Sequence, residues 1–346
     1  MTEMMKQIAL ASRPDGAPTP ANFRLEELPV PTPAAGEVLV RVHYMSLDPY
    51  MRGRMDDSKS YAASLQVDGK MEGGSVGEII ASNAEGFEVG EFVMGGFGWA
   101  THAAVPALGL AKVDPNAAPI TYSLGVLGMP GFTGWFGLME YGKPKSGETL
   151  VVAAATGPVG SMVGQIAKSL GLRVIGIAGG PEKCKMAVEH FGFDECLDHY
   201  AYATASDLNE ALQTACPKGI DIYFENVGGK VLEAVLPLMN QYGRIPICGM
   251  IAWYNAGGLG ADASQKGLTG PKLWRTILVN FLSVNGFIIS NHWDRLGEFH
   301  KTVGPMIADG SVAVQEDITE GLENAPEAFI KLLTGGNTGK AMVKVI

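Results

Sequence analysis

The first third of the chain carries short runs of partly alternating apolar and polar residues, separated by glycine-rich turns. Residues 37–44 mix β-branched and aromatic side chains with partial alternation, which is typical of a strand with one buried face. Residues 76–81 and 91–94 continue the same pattern. Closely spaced strands with turns between them predict a small β-barrel in this part of the chain.

The pattern changes near residue 123, where continuous apolar runs begin to alternate with helical stretches. The apolar runs occupy residues 150–153, 173–177, 221–224 and 244–247. Helices are predicted over residues 159–170 and 183–191. Continuous apolar strands separated by helices are typical of a parallel sheet that is covered on both faces, so this section predicts a doubly wound α/β domain. From about Ser311 the chain returns to a strand, a helix and a last strand.

Length, charge and composition narrow the class of protein. The 346 residues suit two domains of roughly 150 residues each, and a 47% hydrophobic share supports a large buried core. A formal net charge of −10 opposes binding to nucleic acid or to an anionic membrane, so neither is expected as a partner. The first residues lack the apolar core of a signal peptide, and a cytoplasmic protein is expected.

Cysteine, histidine and serine patterns argue against several other classes of site. The four cysteines are scattered without a C-x-x-C pair, which favours a reducing compartment over a disulfide framework. The six histidines show no metal-ligand spacing. Residues 73–77 match the G-x-S-x-G pattern of hydrolases, but a strand is predicted directly after Ser75, where a nucleophile elbow needs a helix.

One glycine-rich turn gives the clearest indication of a ligand-binding site. Residues 151–160 close a predicted strand and open a predicted helix, and they match G-x-G-x-x-G with Ala155 in the first position. Gly157 would let the backbone approach a pyrophosphate at the helix N-terminus, and Gly160 would allow close packing of helix on strand. An ordinary tight turn is the alternative, but the context favours a bound dinucleotide. The predicted contacts are Gly157, Pro158, Val159 and Gly160.

The end of the second predicted strand indicates which dinucleotide is favoured. NAD selection usually needs a carboxylate there, about 20 residues after the glycine-rich turn. Residues 178–181 read Ala-Gly-Gly-Pro instead, and Lys183 and Lys185 follow, either of which could pair with a 2′-phosphate. Glu182 lies close and weakens this argument, and Lys183 could also be a solvated lysine at a helix start. The pattern favours NADP over NAD.

Six strings of residues, in order along the chain, resemble one protein family. They are Ser46-Leu47-Asp48-Pro49-Tyr50-Met51-Arg52, Gly128-Met129-Pro130-Gly131-Phe132-Thr133, Gly157-Pro158-Val159-Gly160, Glu225-Asn226-Val227-Gly228-Gly229, Cys248-Gly249-Met250-Ile251 and Gly336-Asn337-Thr338-Gly339-Lys340. The chain resembles, nearly end to end, the zinc-independent branch of the medium-chain dehydrogenases/reductases. Within that branch it is most similar to the prostaglandin reductase/leukotriene hydroxydehydrogenase group and its bacterial curcumin-reductase relatives.

The resemblance implies a two-domain α/β fold without a metal. It predicts a GroES-like β-barrel catalytic domain over residues 1–123 and 311–346, and a Rossmann NADP-binding domain with a parallel sheet over residues 124–310. The alcohol dehydrogenase branch of the family holds a catalytic zinc through Cys and His. Here Ser46 stands near the position of such a cysteine, and Met71-Glu72 replaces a His-Glu pair. Without that Lewis acid, direct alcohol oxidation would lose its main source of alkoxide stabilisation.

The resemblance also implies the reaction, which is reduction of a carbon–carbon double bond conjugated to a carbonyl. NADPH delivers a hydride to the β-carbon, and the enolate oxygen that becomes negative needs a hydrogen-bond donor. The candidate donors are Tyr50, Tyr61 and Tyr254, because a phenol is protonated at pH 7. Tyr50 could instead simply pack at the start of a helix capped by Asp48. Tyr61 lies in a polar loop where the alignment is loose.

Further cofactor contacts follow from the resemblance. They are Thr133 near the carboxamide, Phe287, Ile288 and Ile289 along the nicotinamide, Asn226, Cys248, and Asn337 at a phosphate. Asn337 has an alternative role as a turn residue. Mammalian relatives place a tyrosine against the 2′-phosphate where this chain has His199, with Tyr200 next to it. The phosphate contact therefore stays open among Lys183, His199 and Tyr200.

The predicted function is NADPH-dependent reduction of an α,β-unsaturated carbonyl, as a homodimer. A quinone reductase of the same branch is the alternative, because quinones are also conjugated carbonyls. A non-catalytic nucleotide-binding protein is disfavoured, since Tyr50 and Tyr254 are both present. The natural substrate stays open, and so does the proton source, which is either one of the tyrosines or solvent.

Overall fold

The structure is a computed structural model that describes residues 3–58, 60–257 and 269–346. Its strands are β1 (Met4–Leu10), β2 (Phe23–Pro29), β3 (Glu37–Ser46), β4 (Ser75–Ser82), β5 (Phe92–Gly95), β6 (His102–Pro106), β7 (Ala111–Val113), β8 (Thr149–Ala153), β9 (Arg173–Ala178), β10 (Glu195–Asp198), β11 (Ile220–Phe224), β12 (Met239–Ile247), β13 (Ser283–Gly286), β14 (Glu316–Glu320) and β15 (Lys340–Lys344). Its α-helices are α1 (Tyr50–Arg54), α2 (Met129–Phe136), α3 (Pro158–Ser169), α4 (Pro181–Glu189), α5 (Ala205–Ala215), α6 (Gly229–Val235), α7 (Gly270–Val279), α8 (Leu296–Ala308) and α9 (Ala325–Leu333). Across these residues, no helix has both the length and the apolar character needed to span a membrane.

The described chain forms two compact units. The first contains residues 3–128, 254–257 and 316–346, and the second contains residues 129–253 and 269–315. The last strands and α9 therefore belong with the N-terminal strands, because the chain returns to the first unit after completing the second.

The first unit is built on a mainly antiparallel sheet. Its strands follow the order β14-β15-β3-β4-β5-β7, and β6 also pairs with β3. Val38, Val40 and Val42 of β3 are fully buried, as the predicted strand with a buried face requires. The ring of Trp99 stacks on Phe23 with centroids 5.7 Å apart and meets Phe329 of α9 edge-on at 5.6 Å. The C-terminal helix therefore packs into the core made by the N-terminal strands.

The second unit is a doubly wound parallel sheet. In its described residues the strand order is β10-β9-β8-β11-β12-β13, and every pair is parallel. Numbered within the sheet, this order is 3-2-1-4-5-6, which is the Rossmann arrangement. All residues of β8 are buried, which requires cover on both faces of the sheet. The predicted fold class is confirmed.

Candidate active site

The glycine-rich turn joins β8 to α3 at the carboxyl end of the sheet. Gly157 caps α3 without a side-chain hydrogen bond, and Pro158 opens the helix. A Cβ at Gly160 would lie 2.3 Å from the carbonyl oxygen of Ala154, so the helix can approach the turn this closely only because residue 160 is glycine. A Cβ at Gly157 would contact only the same oxygen, at 3.3 Å. The fold therefore needs Gly160, whereas Gly157 leaves the space above the helix N-terminus open.

The sheet reverses its order between β8 and β11, and open α/β sheets bind ligands at such a point. Glu225 and Asn226 are the first two residues after β11. The side-chain Nδ2 of Asn226 donates to the carbonyl oxygen of Ala153, at the end of β8, over 2.8 Å. The buried Glu225 accepts from the N–H groups of Val227 and Gly228 at 2.6 and 2.8 Å through one carboxyl oxygen. These two neighbouring side chains fix the backbone at the ends of β8 and β11, on both sides of the point where the strand order reverses.

A second group of predicted residues surrounds the turn after β9. The ring of Tyr200 packs against Gly179, where a Cβ would lie only 2.6 Å from the ring. The ring centroids of His199 and Tyr200 are 4.3 Å apart. Asp198 accepts from the N–H groups of Gly180 and Tyr200 at 2.8 and 2.9 Å, so its carboxylate ties the end of β10 to this turn. The structure brings His199 and Tyr200 together beside the loop that leads to Lys183.

His199 lies close to two lysines. Burial, together with the positive charges of Lys230 and Lys183, lowers the pKa of its imidazole. The ammonium of Lys230 donates to the carbonyl oxygens of His199 and Tyr202, both at 2.7 Å. Positive charge from two helices therefore collects around His199. The sequence did not single out Lys230, although it lies at the start of the helix that follows the Glu225–Gly229 string.

Thr133 and Cys248 both lie in the second unit, Thr133 buried and Cys248 half-buried. The hydroxyl of Thr133 donates to the carbonyl oxygen of Met129 at 2.7 Å, and its own oxygen can still accept a hydrogen bond. Burial, and then the negative charge of Glu225, raise the pKa of the Cys248 thiol to about 12. Cys248 is therefore protonated and unreactive at neutral pH.

The segment from Phe287 to Ile289 follows β13. The ring of Phe287 packs into the core, with centroid distances of 6.0 Å to Phe136 and 5.4 Å to Tyr141. Ile289 is buried and Ile288 is half-buried. Because the Phe287 ring is packed inside the core, a ligand could contact this segment mainly through its backbone and the side chain of Ile288.

In the first unit, Tyr50, Arg54 and Tyr61 form one group. The guanidinium carbon of Arg54 lies 5.8 Å from the ring centroid of Tyr50 and 5.2 Å from that of Tyr61. Arg54 also lies 3.5 Å from a carboxylate oxygen of Glu72. The sequence did not single out Arg54, but its position one helical turn after Tyr50 places the two side chains on the same face of α1.

Tyr50 lines a pocket of about 420 Å³ that lies within the first unit. The other lining residues are Lys70, Met71, Glu72, Gly73, Gly74, Gly96 and Gly98. Burial, and then the negative charges of Asp48 and Glu72, raise the pKa of the Tyr50 hydroxyl far above its ordinary value. The phenol therefore stays protonated at physiological pH and can donate a hydrogen bond into the pocket.

The interpretation of Asp48 as a helix cap is wrong. Pro49 occupies the cap position of α1 and makes no side-chain hydrogen bond. The buried carboxylate of Asp48 instead accepts from the Lys340 ammonium at 2.8 Å and from the Ser46 hydroxyl. Lys340 also donates to the carbonyl oxygen of Leu47 at 2.8 Å. This buried ion pair fixes the end of β3 and the start of α1 to β15.

Tyr254 lies in the short 3-10 helix Ile251–Ala256, which follows β12. The N–H of Ile251 donates to the carbonyl oxygen of Asn226 at 3.2 Å, and that of Ala252 to Val227 at 3.0 Å. The first residues of this helix are thereby held on the turn that follows β11.

Asn337 lies in the first unit, in the turn before β15. Its Nδ2 donates to the carbonyl oxygen of Gly339 at 2.8 Å. Its amide nitrogen therefore stabilises its own turn, which is the role that turn chemistry gives to asparagine.

A Rossmann sheet with a glycine-rich β8–α3 turn, and a β-rich unit completed by the last strand, define the class of two-domain dehydrogenases and reductases. Residues 6–113 match the family described as the N-terminal domain of oxidoreductases, and residues 158–301 match the zinc-binding dehydrogenases. In the described ranges, no group of three or more His, Cys, Asp and Glu side chains is arranged to hold a metal ion.

Similarity to individual proteins extends over the whole chain. It is 50% identical to the NADPH-dependent curcumin reductase of Escherichia coli, covering 97% of this chain and 95% of the relative. It is 38% identical to the NADP⁺-dependent 2-alkenal reductase of Nicotiana tabacum, covering 98% and 97%. The crystal structure of CurA from Vibrio vulnificus in complex with NADPH is 49% identical, with a TM-score of 0.92 over 99% of both chains. The chain belongs to the zinc-independent, curcumin-reductase-like branch of the medium-chain dehydrogenase/reductase family, as its motifs predicted.

Proposed function

We propose that this protein uses NADPH to reduce the carbon–carbon double bond of α,β-unsaturated carbonyl compounds. Its end-to-end similarity to an NADPH-dependent curcumin reductase and to a 2-alkenal reductase supports this reaction. The observation that carries the proposal is Tyr50, a phenol held in its protonated form on the wall of a pocket of small-molecule size.

We assign residues 124–310 to an NADP-binding domain, which contains most of the cofactor site. Residues 1–123 and 311–346 are assigned to the catalytic domain. The start of α3 holds the pyrophosphate through Gly157, Pro158, Val159 and Gly160. Lys183, His199 and Tyr200 hold the 2′-phosphate, with Lys230 adding positive charge. The remaining cofactor contacts in this range are Thr133, Asn226, Cys248, Phe287, Ile288 and Ile289. Asn337, from the catalytic domain, is proposed as a further contact at a phosphate. Bound there, NADPH supplies the hydride.

Addition of a hydride to the β-carbon leaves negative charge on the carbonyl oxygen of the substrate. Tyr50 donates a hydrogen bond to that oxygen, and its raised pKa lets it stabilise the enolate without losing its own proton. Arg54 keeps positive charge close to the Tyr50 ring. Tyr254 contributes a second phenol, which donates either to the same oxygen or to the nicotinamide ribose. Tyr61 lies on the exposed side of the group formed with Tyr50 and Arg54.

Substrate class is tested by following NADPH oxidation with conjugated enones and enals of graded size and with a benzoquinone, in the presence of EDTA. We expect turnover of open-chain enones to exceed that of the benzoquinone. Turnover of the benzoquinone alone would make the protein a quinone reductase instead. No NADPH oxidation with any conjugated carbonyl would overturn the proposal.

The role of Tyr50 is tested by Tyr50→Phe. Removing one donor to a developing oxyanion costs roughly 10²-fold or more in turnover, so kcat should fall by about that factor. The dissociation constant of NADPH, measured by fluorescence titration, should not change. Tyr44→Phe, on a half-buried tyrosine of β3, is the matched control and should keep full turnover. A Tyr50→Phe protein with wild-type kcat would remove the assigned role.

We also propose a homodimer, located in the cytoplasm. All four cysteines are free, which fits a reducing compartment. Near β13, the edge strand of the described part of the sheet, a group of large apolar side chains is exposed. They are Tyr242 of β12, Leu278 and Val279 at the end of α7, Phe281 in the connection to β13, and Val284 of β13. An exposed strand edge beside an apolar patch is suited to pair with the same surface of a second copy across a two-fold axis.

A further inference from the structure

The pocket beside Tyr50 contains a second polar group that the reaction described above does not use. Lys70 lines this pocket together with Tyr50, Glu72 and four glycines. Gly98 has a φ of +73°, and a Cβ there would lie 2.9 Å from Cε of Lys70 and 2.6 Å from the carbonyl oxygen of Met71. Glycine at this position therefore lets the aliphatic part of Lys70 lie against the backbone, beside the pocket that this side chain lines.

The charges in this pocket are unbalanced. The acidic side chain in the lining, Glu72, already lies 3.5 Å from Arg54. Among the residues that the structure describes, the Lys70 ammonium has no hydrogen-bond or ion-pair partner. Burial alone lowers its pKa, so the water that Lys70 loses on folding is not replaced by a protein anion. A partly desolvated ammonium without a counterion is stabilised when an anion comes within hydrogen-bond distance.

We propose that Lys70 forms a subsite for a carboxylate carried by the conjugated-carbonyl substrate, at a distance from its double bond. This inference rests on the proposed function, because Tyr50 takes the carbonyl oxygen in the same pocket. The two donors are of different kinds: the neutral phenol suits an oxygen that becomes negative during the reaction, and the ammonium suits a group that is negative beforehand. A substrate with both groups would be fixed at two points, which orients its double bond.

The test compares three open-chain enones that differ only at the end of a saturated spacer, where they carry a carboxylate, its methyl ester or a primary alcohol. The spacer keeps the reactivity of the double bond the same in all three. With saturating NADPH, we expect kcat/KM for the carboxylate to exceed that for the ester and the alcohol by about tenfold, which corresponds to one charge-assisted hydrogen bond. The difference should lie mainly in KM.

Lys70→Met should abolish this preference, so that the three substrates have similar kcat/KM, and Lys70→Arg should keep the preference. Lys112→Met is the matched control, because Lys112 is an exposed lysine of the same unit that is paired with Glu91. Equal kcat/KM for the three wild-type substrates would overturn the inference, and so would an equal loss for all three in Lys70→Met. Failure of the proposed function is distinguishable, because then the neutral enones would not be reduced either.

Discussion

Several candidate cofactor residues are already held in place by contacts within their own unit. The amide of Asn226 donates to Ala153, and the ring of Tyr200 packs on Gly179. The carboxylate of Asp198 fixes the backbone on which His199 and Tyr200 lie. A site whose loops are fixed before binding loses less conformational entropy when the ligand arrives. These residues therefore support a preformed dinucleotide site in the second unit.

His199 gives a pH-dependent prediction. Its pKa is lowered in the free protein, so it is mostly neutral at pH 7 and becomes charged below its ordinary titration range. A bound 2′-phosphate favours the charged form and raises this pKa, so NADPH affinity should be highest at low pH and fall as the pH rises. Each unit of difference between the free and bound pKa weakens binding by about tenfold across this range. Titrations of NADPH from pH 5 to 8 measure the effect.

The control for this prediction is His199→Asn, because the 2′-phosphate itself gains charge as the pH rises. The ligand contribution is the same for both proteins, so the ratio of their dissociation constants isolates the imidazole. NADH, which lacks the phosphate, should show no difference between them. A ratio that stays constant with pH would show that His199 does not contact the phosphate.

At this scale, the sequence identified residues that belong to contiguous motifs and missed those brought in from elsewhere. Lys230 reaches the carbonyl of His199 across 31 positions, and no local pattern connects the two. Asp48 was misassigned because Asp-Pro before a helix is a common capping pattern, whereas its actual partner, Lys340, lies 292 positions away. Lys70 lies outside every motif, and only the pocket shows that it is near Tyr50.

At the scale of elements, the local sequence pattern predicts helices and strands more accurately than it predicts contacts between distant residues. The predicted helix over residues 159–170 corresponds to α3, and the predicted strand over 221–224 corresponds to β11. Both have continuous or periodic apolar positions and a glycine or proline where they begin, so their starts are encoded locally. The N-terminal pair β1 and β2 was not predicted. Its strands are joined by a long connection, and β2 is largely exposed, so its apolar pattern is weak.

The β8–α3 connection gives a prediction with an internal control. Gly160→Ala should lower the free energy of unfolding by about 1–3 kcal/mol, because its Cβ would overlap the carbonyl oxygen of Ala154. Gly157→Ala should fold nearly as well as the wild type but bind NADPH at least tenfold more weakly, since the methyl group occupies space left for the pyrophosphate. Denaturant unfolding and NADPH titration separate the two effects. A Gly157→Ala protein with wild-type affinity would place the pyrophosphate elsewhere.

At the scale of the whole molecule, the proposed dimer makes a prediction about assembly. Leu278 is 74% exposed at the end of α7, and Leu278→Asp would place charges on the apolar surface beside β13. We expect this variant to be a monomer by analytical ultracentrifugation under conditions where the wild type is a dimer. Leu108→Asp changes an even more exposed leucine, which lies in the first unit, and should leave the dimer intact. A wild-type monomer, or a dimeric Leu278→Asp protein, would contradict the proposed interface.

The buried pair of Lys340 and Asp48 has a consequence for the order in which the chain matures on the ribosome. Domains generally fold from the N-terminus as they emerge. Here the described strands of the second unit have all been made by Gly286, whereas the unit that was begun first still lacks β15 and the cation for Asp48. The unit that is started first is therefore finished last, and its main sheet is complete only after residues 340–344 have been translated.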